Sequence, residues 1–457
     1  MLNRAFLVPG LLLCAGIISA APPESRQLAF RNASGQVRTF NVNGDLDLAN
    51  PFFADLGTNG RQCVTCHQAN EAWSITPDGV QQRFARSSGT DPIFRNNDGS
   101  NCEGALPATI QEQRQAYSLL LEHGLIRVGL DVPADAEFII DSVKDPYQCG
   151  AASNDVSVYR RPLPSTNLRF VTAVMWDGRE SFATSTIRED LTRQANNATR
   201  GHAAAFRDIT PEQARQIVDF EMGLFTAQSF DNDAGSLSAQ GGRGGPEALA
   251  DEPFFIGIND PVGLNPTGSP FDPNVFTLFD AWNPLAAAAR GPVEEARRSI
   301  VRGQALFNTT LITLSGVSGL NEETFSSGVS VPSSFAGTCT VCHDTPAAGN
   351  HSVKAPLDIG LTEPSIAPYL PVFTVRNLTT NETIDTTDPG RALITGKWRD
   401  MNRFKGPILR GLAARGPFFH NGSAKTLREV VDFYETRFDI GLTEREKADL
   451  VAFLRSL

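Results

Sequence analysis

The chain has 457 residues, of which 41% are hydrophobic, 20% charged and 8% aromatic, and its formal net charge is −11. That composition excludes a disordered chain, a coiled coil and a collagen-like fibre, and the acidic balance argues against nucleic acid as a partner. The length allows two or more domains, each with its own hydrophobic core.

The N-terminus reads as an export signal. Arg4 gives a positive start, Phe6 to Ile18 is an apolar run, and Ser19, Ala20 and Ala21 form a small-residue cleavage region, so residues 1–20 are expected to leave. Cys14 inside the run raises a lipoprotein signal as the alternative; Leu13 before it is larger than such a signal wants. No later stretch reaches about 18 uninterrupted apolar residues, so no membrane span is expected. An exported soluble protein implies an oxidising compartment, here the bacterial periplasm.

Next along the chain comes Cys63-Val-Thr-Cys66-His67, and far downstream Cys339-Thr-Val-Cys342-His343. C-x-x-C-H is the attachment pattern of c-type haem. Two thiols three residues apart reach the two vinyl groups of one porphyrin, and the following imidazole lies beneath the iron. A thioredoxin-like pair needs no histidine. A zinc site needs further Cys or His, and the chain has six His in all. Two haem c groups are therefore expected. Cys102 and Cys149 form an even remainder, which in an oxidising compartment suggests a disulfide.

The two motifs divide the chain into an N-terminal haem domain, 21–290, and a C-terminal one, 291–457. The Gly-rich stretch Ala234 to Pro246 and the Pro-punctuated sequence after it separate them. The regular signals are helical. Thr210-Pro211 with Gln213 opens a helix carrying Ile217, Val218, Met222 and Phe225. Glu294 to Phe307 reads as another. Asn308 to Ala336 reads as a surface loop. Thr426 with Glu429 is a capping box before Leu427, Val430, Val431 and Tyr434, and Thr443 with Glu446 opens the last helix. No sustained period-2 alternation is evident. The expected class is mainly α: two cytochrome c-type haem domains with long loops.

Three further segments carry a resemblance. They are Met175-Trp-Asp-Gly-Arg-Glu180, Arg302-Gly-Gln-Ala-Leu-Phe307, and Lys405-Gly-Pro-Ile-Leu-Arg-Gly411 running on to Arg415-Gly-Pro-Phe-Phe-His420-Asn-Gly422. In this order, with two haem motifs, the chain resembles the di-haem cytochrome c peroxidase superfamily, which includes the MauG-like enzymes. The likeness runs from about Asn50 to the end, with large insertions.

The resemblance implies a peroxide-reducing oxidoreductase. His67 and His343 ligate the two irons. A Met follows the F-H-x-G histidine by fourteen residues in the peroxidases; here that position is Tyr434, the MauG-like pattern, with Met401 as the rival ligand. A phenolate favours Fe(III) over Fe(II), and a thioether the reverse. No His lies between His123 and His202, so the first iron is expected to be open on one face, unless His123 folds back. Gln194 matches the family's distal Gln. No Glu follows at the family's offset, and His202, two residues short of it, is the candidate acid/base. Trp176 would lie between the haems as an electron relay. The family's interdomain calcium ion uses an Asn whose position here is Arg161, a cation, which opposes calcium. The implied partners are hydrogen peroxide and a small redox-protein donor or protein substrate. The alternative is a non-enzymatic di-haem electron carrier or redox sensor. A third reading, an oxygenase acting on an apolar substrate, is permitted by 29 Phe and argued by nothing else.

Overall fold

A computed structural model describes residues 27–150, 155–283 and 291–457. The expected signal segment with Cys14, and the expected boundary at 290, lie outside the described residues.

The helices follow their sequence signals closely. Pro211–Gly223 starts at the Thr210 capping box, Leu427–Phe438 at that of Thr426 and Glu444–Arg455 at that of Thr443. In each, the Thr hydroxyl and the N3 Glu or Gln satisfy backbone N–H groups that a helix start otherwise leaves unpaired. Phe225 is a difference: it lies in the strand Leu224–Asp231, beyond the helix.

The class also differs from the expected one. Helices share the described residues with four small antiparallel sheets. The strands hid because their buried positions are not all apolar. In Gly35–Asn41 the alternate buried residues are Gly35, Val37, Thr39 and Asn41, while Phe40 is only half-buried. Thr39 is usable inside because it shares a hydrogen bond with Thr226 across the sheet (2.8 Å) and accepts one from Trp73 Nε1 (2.9 Å).

Asn308 to Ala336 is a second correction. It holds the strand Ile312–Ser315, paired with Ser334–Gly337. Ile312, Leu314, Val317 and Leu320 are buried in a cluster that Cys339 and Cys342 pack against. The buried end of the segment, with Ile312 and Leu314, lines the cavity at Cys339, while residues 322–330 remain a largely exposed loop. The Gly-rich stretch likewise folds inward: Ala234, Leu237, Phe276, Phe279 and Trp282 share one core with Ile300, Phe307 and Phe453.

The Arg302-Gly-Gln segment fixes how the helix Pro292–Thr309 meets the last helix. A Cβ on Gly303 would stand 2.0 Å from the Asp449 carbonyl oxygen, so only glycine permits the contact. Arg302 then makes a bidentate pair with Asp449 at 2.7 and 2.8 Å. Phe307, on the same helix, is left 5.8 Å from the His343 ring.

The two halves are also sewn together. The strand Phe138–Lys144 pairs with Val372–Asn377. Arg160 makes a two-pronged pair with Asp388 at 2.7 and 2.9 Å and also holds Asp177 of the Trp176-Asp-Gly turn. All three side chains are buried. Among the described residues no helix is long and apolar enough to cross a membrane.

Candidate functional site

Each Cys-x-x-Cys-His segment is one tight turn. In the first, the N–H groups of Cys66 and His67 both donate to the Cys63 carbonyl, at 3.2 and 3.0 Å. In the second, Cys342 and His343 donate to the Cys339 carbonyl, at 3.3 and 3.2 Å. The turn puts both sulfurs and the imidazole on the same side. The four cysteines are unpaired, whereas Cys102 and Cys149 form the expected disulfide, with Cα atoms 5.1 Å apart. Among the described residues no group of three or more His, Cys, Asp or Glu gathers that could hold a metal ion.

The histidines are tuned alike. His67 Nδ1 sits 3.0 Å from the Trp73 carbonyl and His343 Nδ1 2.7 Å from that of Gly349. A carbonyl can only accept, so each Nδ1 carries the proton and each Nε2 is left as a lone-pair donor. Burial pushes the His67 pKa down to about 4 and that of His343 downward, which keeps both rings neutral. A neutral, oriented imidazole is what iron requires.

Each motif opens into a mostly apolar cavity, one at Cys63 and one at Cys339. Seven residues line both: Arg161, Pro162, Pro164, Trp176, Lys405, Pro407 and Arg415. The cavities thus share a wall. Trp176 stands in it, its Nε1 donating to the Arg161 carbonyl (2.8 Å) and its ring 6.2 Å from that of His420.

The residues expected at the first site separate cleanly. Gln194 and His202 line the first cavity, on and just after the helix Ile187–Gly201. His123 does not; it stacks on Tyr369 at 3.6 Å. Met175 lines the cavity but packs against the cluster of Leu191 and Val218. At the second cavity, Leu427, Val430, Val431 and Tyr434 form one wall, as their helical spacing implies. Burial, with the Cys342 and Cys339 thiols, drives the Tyr434 phenol pKa upward, so only a bound cation would hold it as phenolate. Met401 packs elsewhere, with Phe138, Val156 and Phe373.

Several groups were not visible in the sequence. Arg161, Lys405, Arg410 and Arg415 line the cavities, and among the described residues none has an ion pair with a protein carboxylate. Burial pushes them down, to about 9 for Arg161, about 8 for Lys405 and about 10 for Arg410 and Arg415. Such cations are costly unless an anion meets them. Among the described residues, Arg410 Nε and both ring nitrogens of His420 are buried without a partner. Two haems would bring four propionates to this shared wall, so the residues present fit the group. Glu221 also lines the first cavity; it is 6% exposed, burial raises its pKa to about 8, and its Oε2 has no partner. A carboxyl four residues after Ile217, on the apolar side of its helix, was the available signal.

Calcium does not fit. The Arg161 guanidinium already occupies the carbonyl cluster between the halves, donating to Gly124 and Arg415 (3.1 Å each) and to Ile75. A fixed positive charge thus stands among those carbonyls. Prolonged chelation with EGTA is expected to leave the melting temperature and haem spectrum unchanged; a clear fall in either would contradict this.

No family model matches the chain. It is 35% identical over 135 residues to cytochrome-c peroxidase IdrP2 of Denitromonas iodatirespirans, covering 26% of this chain and 36% of that protein. It is 30% identical over 127 residues to the cytochrome c551 peroxidase of Nitrosomonas europaea, covering 27% of this chain and 31% of that protein. These matches span about a third of the relatives' own length. Among solved structures, a MauG-like protein associated with microbial copper homeostasis aligns over 89% of this chain and 86% of its own, at 15% identity and a TM-score of 0.40. Over these segments the chain is similar to cytochrome-c peroxidases.

Proposed function

We propose that the protein is an exported, periplasmic di-haem c oxidoreductase of the peroxidase type. Hydrogen peroxide is reduced at the N-terminal site, and electrons arrive from a small redox protein, or from an oxidisable group on a partner protein, through the C-terminal site. The carrying observation is the wall with Trp176 in it, shared by two Cys-x-x-Cys-His cavities. When bound, haem supplies a redox-active iron at each cavity. The chain does the rest. His67 and His343 present Nε2 to the metals. Tyr434 offers a hard oxygen at the second site, which suits storage of oxidising equivalents better than Met401 would. Gln194 and His202 face the first cavity as hydrogen-bonding and proton-handling groups. Trp176 bridges the two. The division into haem domains at about 290 belongs to the same reading, with 234–282 packed toward the C-terminal helices.

The asymmetry is directly testable. The ferric protein is expected to give one high-spin and one low-spin haem by optical and EPR spectroscopy. Tyr434→Phe is expected to alter the low-spin signal while both haems stay covalently bound. Two low-spin haems in both oxidation states would favour the electron carrier instead, and a low-spin signal indifferent to Tyr434→Phe would remove that ligand.

A further inference from the structure

His202 is held far more firmly than a helix-end surface residue needs to be. Its Nδ1 bonds Asp98 Oδ2, while Asp98 Oδ1 is taken by Arg61 Nη1. Its backbone carbonyl accepts from Asn59 Nδ2 (2.8 Å), Arg61 Nη1 (3.3 Å) and Asn97 Nδ2 (3.3 Å). Arg61 is itself anchored on the Pro92 and Ile93 carbonyls, at 2.8 Å each. Asp98 is 6% exposed and Arg61 3%. Burial would raise the Asp98 pKa, but His202 and Arg61 outweigh it and hold the carboxyl below its usual range. Both Arg61 and His202 line the first cavity.

We propose that Asp98 is a positioning residue for the peroxide chemistry and that His202 is the group it positions. The inference rests on the peroxidase reading above and deepens it. When Asp98 accepts a proton from Nδ1 of the uncharged imidazole, Nε2 carries the lone pair and is the atom free to exchange protons. Arg61 keeps the carboxylate charged and fixed in orientation. The reaction H2O2 + 2e⁻ + 2H⁺ → 2H2O takes its electrons from the redox-protein donor. His202 Nε2 accepts the proton from one peroxide oxygen and delivers it to the other, so that water leaves rather than hydroxide as the O–O bond breaks; the remaining protons come from solvent, and His202 ends as it began. Asp98 neither gains nor loses a proton.

The test uses the holoprotein and three ligands. Hydrogen peroxide and hydrogen cyanide must each give up a proton on binding to the ferric protein, whereas carbon monoxide binds the ferrous protein with no proton transfer. His202→Ala and Asp98→Asn are each expected to slow the peroxide and cyanide reactions at least tenfold, leave carbon monoxide binding within about twofold, and combine non-additively. Asp98→Glu should recover most of the rate. If Asp98→Asn loses covalent haem, Asp98→Glu together with His202→Ala carries the same comparison. Equal slowing of all three ligands would mean a merely structural role and would overturn the assignment, as would cyanide and peroxide rates indifferent to Asp98→Asn. A wild-type holoprotein inert to peroxide overturns the peroxidase reading and this role with it, whereas peroxide turnover indifferent to Asp98 overturns this role alone.

Discussion

Arg160→Ala is expected to lower the unfolding free energy by about 3–5 kcal/mol, the range for removing one member of a buried ion pair. The loss is large because two buried carboxylates, Asp177 and Asp388, then lack their shared cation. Burial by itself would raise the Asp177 pKa; Arg160 and Arg179 reverse this and hold it near 2. A carboxyl depressed in the folded state stabilises fully above its unfolded pKa of about 4. That stabilisation fades as the pH falls from about 4 toward 2. In Arg160→Ala the Asp177 pKa rises, so protonating it no longer costs stability, and the deficit relative to the wild type should shrink as the pH falls from about 4 toward 2. Urea unfolding at pH 7 and an acid titration by circular dichroism measure the two effects. A loss under about 1 kcal/mol would show that the clamp between the Trp176 turn and the C-terminal half is dispensable. Removing all three charges, by Arg160→Met with Asp177→Asn and Asp388→Asn, should cost less than Arg160→Ala, since it is the uncompensated charge that destabilises.

The paired substitution Cys63→Ser and Cys66→Ser should reduce covalent haem from two per chain to one, read by haem staining and the pyridine haemochrome. The serine hydroxyl cannot form the thioether. The consequence for the fold should also be large, because the first cavity is walled mostly by apolar side chains that a bound porphyrin would cover. Arg161, Lys405 and Arg415 line both cavities, so the second haem should feel the loss as a change in its optical spectrum. Cys102→Ser is the control: it opens a loop of 47 residues and lowers stability by a few kcal/mol on the chain-entropy model, but leaves two haems attached. Full haem content in the double serine variant would defeat the attachment assignment.

Sequence alone was enough wherever the signal is local. Cys63, Cys66 and His67 lie within one turn, so their spacing dictates a common side, and the same holds at Cys339. Thr426, Glu429 and the apolar positions up to Tyr434 lie within a few helical turns, so the capping box and the wall facing the second cavity could be read directly. Cys102 and Cys149 were left over by counting. Strands were harder, because Thr39 and Asn41 are buried polar residues satisfied only by distant partners. The same reason hid most of the chemistry around the cavities. Asp98 lies 104 positions from His202, and Arg161 lies 254 from Arg415; nothing periodic links them. What the sequence determined is therefore the attachment chemistry, two thiols and an imidazole presented by a short turn. What the tertiary structure decided is that the two sites share a wall, that Trp176 and the cations Arg161, Lys405 and Arg415 stand along it, and that the Arg161 guanidinium occupies the carbonyl cluster between the halves. Local geometry follows from backbone covalent limits, whereas the shared wall depends on burial and charge matching between segments that meet only after the chain has folded.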